Sequence, residues 1–319
     1  MEARLAEQER YLPTADQYAL AEAMRDALVS LLPIARLHDA AHESEATWLA
    51  LSDLGVFSMT RPEDRGGAGL GVVEEVLVAF ELGRKLASTA VLTTLALAPH
   101  LDLHDGEAVT AAWTQDGRTV LIDEPRARRV AIRDGGVVRL IDRPSGEHPL
   151  DDVHWAARLV RIESEGAVPL SIDREGWARI RLLDAAAMAG LAETALAAAV
   201  DYAGFRQQFG RPIGSFQAVK HHCANMALAA RGARDLVLFA AVALSENSGD
   251  AAALAESAVL IAGAAAERNA ALNVQIHGGV GFSDEADPHL LVKRARLLLS
   301  LAGGLDAAAE RTAMSEIAA

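Results

Sequence analysis

Cysteine, aromatic side chains and positive charge are all scarce in this chain. Among 319 residues there is one cysteine, Cys223. That excludes an intramolecular disulfide framework and fits a reducing, cytoplasmic setting. Aromatics reach only 4%, and 30 Lys and Arg stand against 44 Asp and Glu, for a formal net charge of −14. A nucleic-acid surface needs a dense positive field, so nucleic acid is not an expected partner. Residues 1–17 are charged and hold no apolar signal core. The apolar runs are Ala-rich and broken by charges, so no membrane span is expected. No metal site is expected either. His221, His222 and Cys223 are adjacent, and neighbours on a helix point to different faces.

Ala and Leu are abundant, and hydrophobic residues make up 51% of the chain. That is enough to bury a large core, and the length suits two or three domains. Ala and Leu lose little side-chain entropy in helices. The first region, 1–105, shows helical spacing over 16–38, with Leu20, Met24, Leu28 and Leu32 on one stripe. A second helix starts at Ser44 and Glu45 and stops at Gly55. The Arg61–Gly71 stretch, RPEDRGGAGLG, reads as a loop; it lacks the spacing of a dinucleotide fingerprint. Helices then cover 72–86 and 88–101. Region 106–183 carries short β-branched runs, TVLID, RVAIR, VVRLID and ARLVRIE, split by Gly-rich turns. It reads as a small antiparallel β domain. Region 184–319 returns to helix over 182–209, 217–245, 251–277 and 290–319. Short connections between long helices imply a four-helix bundle. The chain is thus mainly α with a small β domain in the middle.

Two segments carry most of the functional signal. Tyr202–Met226 reads as a helix ending near Gly210, a Pro-containing turn and a new helix that Ser215 can cap. Arg206 and Arg211 bracket the break, which suits phosphate; a helix hairpin with solvated arginines has the same sequence. In Asn273–Arg296 a helix ends at His277, followed by Gly278 and Gly279. Those glycines admit close backbone approach to a ligand, or simply cap the helix. Lys293, Arg294 and Arg296 either meet an anionic ligand or form a solvated basic face.

Together these segments resemble the acyl-CoA dehydrogenase family. Its Y-A-x-x-R-x-x-F-G-x-x-I-x-x-F-Q signature is met by Tyr202, Ala203, Arg206, Phe209, Gly210, Ile213, Phe216 and Gln217. Its Q-x-x-G-G-x-G-F/Y signature is met by Gln275, Gly278, Gly279, Gly281 and Phe282. The N-terminal region agrees through Trp48, Leu51, Leu54 and Gly55, through Pro62–Leu70, and through the E-L-G-R of Glu81–Arg84. The resemblance implies a helical domain, a β domain and a four-helix bundle. It implies FAD as cofactor, an acyl-CoA substrate and an electron-transfer flavoprotein as electron acceptor. It further implies that Arg206, Gln217, Gln275, Gly278 and Gly279, with Phe209 packing nearby, reach the flavin of a neighbouring subunit.

Other family elements are eroded. The T-E-x-x-A/G-G-S-D element is replaced by AWTQDG at Ala112–Gly117, and the W-I-x-N element has no counterpart. The reaction needs a carboxylate over the substrate α carbon, with its pKa raised by burial. The family's I-Y-E-G-T stretch reads LSLAGGL here, and its alternative base position holds Ile180, with Asp184 further on. Glu285 is the best local candidate for the base, though an acid there also suits a helix N-terminus. The expected protein is therefore a subunit of a heteromeric dehydrogenase, resembling the short subunits of steroid-degrading enzymes, with a longer homologous partner supplying the base. A self-sufficient homo-oligomer, a non-catalytic subunit and a helical binding protein of the same fold remain alternatives.

Overall fold

Helix α1 (Ala15–Leu31) starts where Thr14 and Gln17 cap each other, Thr14 N–H donating to Gln17 Oε1 at 2.8 Å and Gln17 N–H to Thr14 Oγ1 at 3.3 Å. The computed structural model describes residues 12–317 except 40–41, 104–105, 116, 135, 145–147 and 150–157. The predicted stripe faces inward: Met24, Leu28 and Leu32 are buried and Leu20 is half-buried. A 3-10 turn (Ile34–His38) leads to α2 (Glu45–Asp53), capped by Ser44. There Trp48 is buried and stacks on Phe57 with ring centroids 4.8 Å apart. The Gly-rich loop folds back on itself, and a Cβ on Gly67 would sit 2.0 Å from Arg61 O.

Helices α3 (Val72–Arg84) and α4 (Thr89–Leu97) follow. The E-L-G-R motif acquires a structural meaning here. Glu81 accepts from both Arg25 Nε and Arg25 Nη2, at 3.1 and 2.9 Å. Gly83 lies so close to the bundle that a Cβ would be 2.1 Å from Ala187 O, and one on Gly190 would be 2.1 Å from Phe80 O. Two facing glycines thus let α3 and the first bundle helix cross backbone to backbone. Arg84 then pairs with Glu193.

The sheet contains β1 (Val109–Gln115), β2 (Arg118–Asp123), β3 (Arg129–Asp134), β4 (Val137–Asp142), β5 (His148–Pro149), β6 (Arg158–Ile162) and β7 (Val168–Pro169). Their spatial order is β5-β6-β2-β1-β3-β4-β7. Every neighbouring pair is antiparallel except β1 with β3, which run parallel, so the sheet is mixed rather than purely antiparallel. One face carries Ala112, Leu121, Val130, Ile132, Val160 and Ile162; the other presents Ala111, Ile122 and Leu159 to Leu297 and Leu301 of the bundle.

The bundle opens with α5 (Arg174–Phe205), capped by Asp173, whose Oδ1 accepts from Gly176 N–H at 2.8 Å. It starts inside the stretch read as β domain and ends before Gly210. By length and composition α5 is able to cross a membrane, but 61% of its apolar window is buried inside this fold. Helices α6 (Gln217–Ser245) and α7 (Ala251–His277) follow. The last expected helix, 290–319, is two: α8 (Pro288–Leu301) and α9 (Gly304–Ile317). Gly303 and Gly304 break it, with φ of +88° and +84°. That left-handed backbone region suits glycine and ends a helix.

Candidate functional site

The chain between α5 and α6 is a tight hairpin, β8 (Gln207–Gln208) on β9 (Arg211–Pro212). Its two central residues, Phe209 and Gly210, hold φ of +53° and +75°, as two-residue hairpin turns require. Glycine accepts this freely; a bulky aromatic does not, and a strained residue of this kind is a pointer to function. Phe209 is also 91% exposed. Arg206 caps α5. Its N–H donates to Tyr202 O at 2.9 Å and its carbonyl accepts from Ile213 N–H at 2.8 Å, so the backbone is fixed while the side chain is exposed. Arg211 lies 4.2 Å over the Phe216 ring. Gln217 is the first residue of α6 and is exposed. The helix cap differs from the sequence expectation. Phe216 occupies the cap position without a side-chain bond, and the Ser215 hydroxyl is buried without a partner.

The second segment meets the first through aromatic stacking. Tyr202 of α5 lies 4.0 Å from His277 at the end of α7, the rings 24° from parallel. His277 Nδ1 is held 2.8 Å from Asn273 O. A 3-10 turn (Gly278–Phe282) follows, with Gly278 at φ +63°. A Cβ on Gly278 or Gly279 would meet nothing within 4 Å, whereas one on Gly281 would lie 2.8 Å from Val274 O. Gly281 is thus required by this chain's own packing. Gly278 and Gly279 are open to whatever approaches from outside. Gln275, Gly278 and Gly279 are exposed. Phe205 and Phe282, 70% and 77% exposed, extend the surface. Exposed aromatics beside exposed guanidinium groups mark an interaction face.

A cavity of about 410 Å³ lies between the sheet and the bundle, with Trp113, Arg133, Trp177, Arg181, Gly303 and Arg311 in its wall. Carboxylates near it are occupied. Arg133 donates to both oxygens of Asp184, each at 2.9 Å. Arg181 donates to Glu256 Oε2 through Nε at 3.1 Å and Nη2 at 3.0 Å, and Arg311 Nε donates to the same oxygen at 3.0 Å. The LSLAGGL stretch contributes Ala302 O, which accepts from Arg181 Nη1 at 2.9 Å and Arg311 Nη2 at 3.0 Å. A second, mostly apolar pocket of about 20 Å³ adjoins it at Arg133 and Leu301, bordered by Leu92, Ile180 and Leu298 and by Asp184. Asp184 is therefore committed to Arg133, and Ile180 presents no acid. Glu285 is exposed before α8 and lines neither space.

The basic run on α8 divides three ways. Arg296 is exposed and pairs with Glu267 at 2.6 Å, and Lys293 is half-buried, its pKa lowered by desolvation. Arg294 is fully buried, and desolvation lowers its pKa to about 10. Its Nε and Nη2 have no hydrogen-bond partner. No pattern in K-R-A-R announces which of the three turns inward.

The family model for the acyl-CoA dehydrogenase N-terminal domain matches residues 14–113, and that for the C-terminal domain matches 172–315. The acyl-CoA dehydrogenase IpdE2 of Mycobacterium tuberculosis is 35% identical over 262 residues, 79% of this chain and 80% of that protein. Among solved structures, a variant of the Tcur3481-Tcur3483 steroid ACAD superposes with a TM-score of 0.73 at 21% identity, covering 95% of this chain and 98% of that one. The ChsE4-ChsE5 complex from Mycobacterium tuberculosis gives 0.72 at 22% identity, covering 96% and 98%. The structural likenesses bear on fold, and the sequence relationship carries the family. This chain belongs to the acyl-CoA dehydrogenase family.

Proposed function

We propose that this chain is one subunit of a heteromeric acyl-CoA dehydrogenase and donates the outer half of an FAD site to a longer homologous partner. The observation that carries this reading is the split between the two regions just described. Arg206, Phe209, Gln217, Gln275, Gly278 and Gly279 all lie exposed. The carboxylates at the inner cavity are held by arginines: Asp134 in its wall by Arg139, and Asp184 and Glu256 behind it by Arg133, Arg181 and Arg311.

In this arrangement the Arg206 guanidinium would hold the cofactor pyrophosphate, the strongest contact an exposed fork of donors offers a phosphate. The free N–H groups at the start of α6, beside Gln217, add donors of the same kind. The fit has support in the chain: the Ser215 hydroxyl is buried and unpaired beside that helix start, and the Gly278–Gly279 backbone has open space where side chains would stand. Gln275 and the two glycines would hold the adenosine side, with Phe209 packing nearby. FAD, when bound, supplies the hydride acceptor for α,β-dehydrogenation of an acyl-CoA thioester. The partner supplies the base that removes the α proton, and electrons pass on to an electron-transfer flavoprotein. The steroid ACAD among the structural neighbours suggests bulky, steroid-derived acyl groups.

The absorbance spectrum of the purified chain tests this directly. Produced alone it is expected to be colourless, and produced with a longer homologue from the same genome it is expected to co-purify and carry flavin. Stoichiometric FAD together with turnover by the chain alone would sink the proposal.

A further inference from the structure

We infer that Tyr202 and His277 are positioning residues of the outer site: their stacked rings hold the Arg206 hairpin and the Gly278–Gly279 turn at one fixed spacing. The inference rests on the shared-site reading above, because the spacing matters only if both segments bind one ligand. Each segment is fixed to its own helix. The hairpin is seated on the end of α5, where a Cβ on Gly214 would lie 2.9 Å from Ala203 O and where Ile213 N–H donates to Arg206 O at 2.8 Å. The glycine turn is folded against the end of α7, where a Cβ on Gly281 would lie 2.8 Å from Val274 O. Tyr202 stands one turn before Arg206, and its carbonyl accepts from Arg206 N–H at 2.9 Å. His277 is the residue before Gly278. Neither ring shifts without carrying the segment beside it.

What remains to be set is the register of α5 against α7. The two helices pack together, and their buried positions are mostly small; among them are Ala195, Ala199 and Ala203 on α5 and Ala262, Ala266 and Ala270 on α7. Methyl groups make shallow ridges, so they bring the backbones close without fixing how far one helix slides along the other. Two larger features fix it. Asn269, fully buried, donates from Nδ2 to Ala192 O of α5 at 3.1 Å and to Met226 O of α6 at 3.0 Å. The Tyr202–His277 stack is the second feature, about 12 Å further along α7, where both helices end. The stack is itself held. His277 Nδ1 lies 2.8 Å from Asn273 O, and since a carbonyl only accepts, that nitrogen carries the hydrogen. Phe205 meets the Tyr202 ring edge-on, centroids 5.2 Å apart. The Tyr202 hydroxyl has no hydrogen bond among the described residues, so the contribution is the ring's.

The test is the FAD affinity of the complex with the longer homologue, stripped of flavin and titrated by the quenching of FAD fluorescence. Tyr202→Leu is expected to weaken FAD about fivefold, the size an aromatic pair carries. Tyr202→Phe keeps the ring and is expected to stay within about twofold of the unaltered complex. On an Arg206→Ala background, Tyr202→Leu is expected to add less than a factor of about two, because the spacing no longer serves two contacts. Unchanged affinity in Tyr202→Leu, where Arg206→Ala alone weakens FAD, would overturn the inference. So would an equal loss from Tyr202→Leu on both backgrounds, or a loss in Tyr202→Phe as large as in Tyr202→Leu. If Arg206→Ala leaves FAD affinity as it was, the shared-site reading itself falls, and this inference with it. His277→Leu removes the other ring of the stack and is expected to give the same loss as Tyr202→Leu; it decides the matter if Tyr202→Leu fails to fold.

Discussion

The hairpin end of the bundle and the cavity beneath the sheet are built from similar residues to opposite effect. At the hairpin, Arg206 makes only backbone hydrogen bonds among the described residues, and its side chain is exposed. In the cavity, Arg133 and Arg181 are tied to Asp184 and Glu256. A guanidinium at a surface recognises something absent from the chain. A guanidinium paired inside holds the chain together. Family resemblance is strong at the first place and weak at the second, and the geometry separates them in the same way.

The comparison breaks most visibly through stability. Asp184→Ala leaves Arg133 partly buried without its carboxylate, and unfolding in urea is expected to show a loss of about 2–3 kcal/mol, less than for a fully buried pair. Flavin retention by the folded complex is expected to stay unchanged. Arg206→Ala reverses the pattern. It is expected to cut flavin retention by the complex about tenfold, roughly 1.4 kcal/mol, while the urea midpoint of the chain holds steady. A shifted midpoint with full flavin retention would reassign Arg206 to structure.

Two smaller effects sharpen the contrast. Phe209→Gly removes a bulky residue from left-handed backbone, and is expected to stabilise the chain by about 0.5 kcal/mol, because relief of strain exceeds the added chain entropy. It should weaken flavin retention at the same time. The smallest effect is a pH dependence beside the glycine turn. Burial lowers the His289 pKa first of all, and the nearby Lys293 lowers it further. The unfolded chain therefore binds this proton more readily, so stability falls as pH drops through the unfolded histidine value of about 6.5 toward the folded one. Melting curves across that range should flatten in a His289→Gln variant.

The sequence was most legible where local spacing and burial coincide. The stripe through Met24, Leu28 and Leu32, the Ser44 cap and the Gly55 stop all follow from neighbours a turn or less away. Strands β2, β3, β4 and β6 were legible as β-branched runs. Strand β1 was not, because VTAAWTQ is rich in Ala and its buried centre has no alternation. Ser215 looked like a helix cap, but chain entry from the hairpin put Phe216 there instead. The cavity was beyond local reading altogether. Arg133 and Asp184 are 51 positions apart and Arg181 and Glu256 are 75 apart, and only the fold brings each pair together. At the outer site the residues were found by motif, while their exposure, which gives them meaning, came from the fold.

At Gly83 and Gly190 the helices α3 and α5 cross with no side chain between their backbones. Backbone seated on backbone leaves no side chain to change rotamer, so the crossing behaves as a fulcrum rather than a cushion. Arg206 sits at the far end of the same helix, about 24 Å along its axis. On a lever of that length a tilt of about 5° at the fulcrum displaces the guanidinium by about 2 Å, enough to lose a hydrogen bond. The N-terminal domain therefore takes part in aiming Arg206 without ever approaching it.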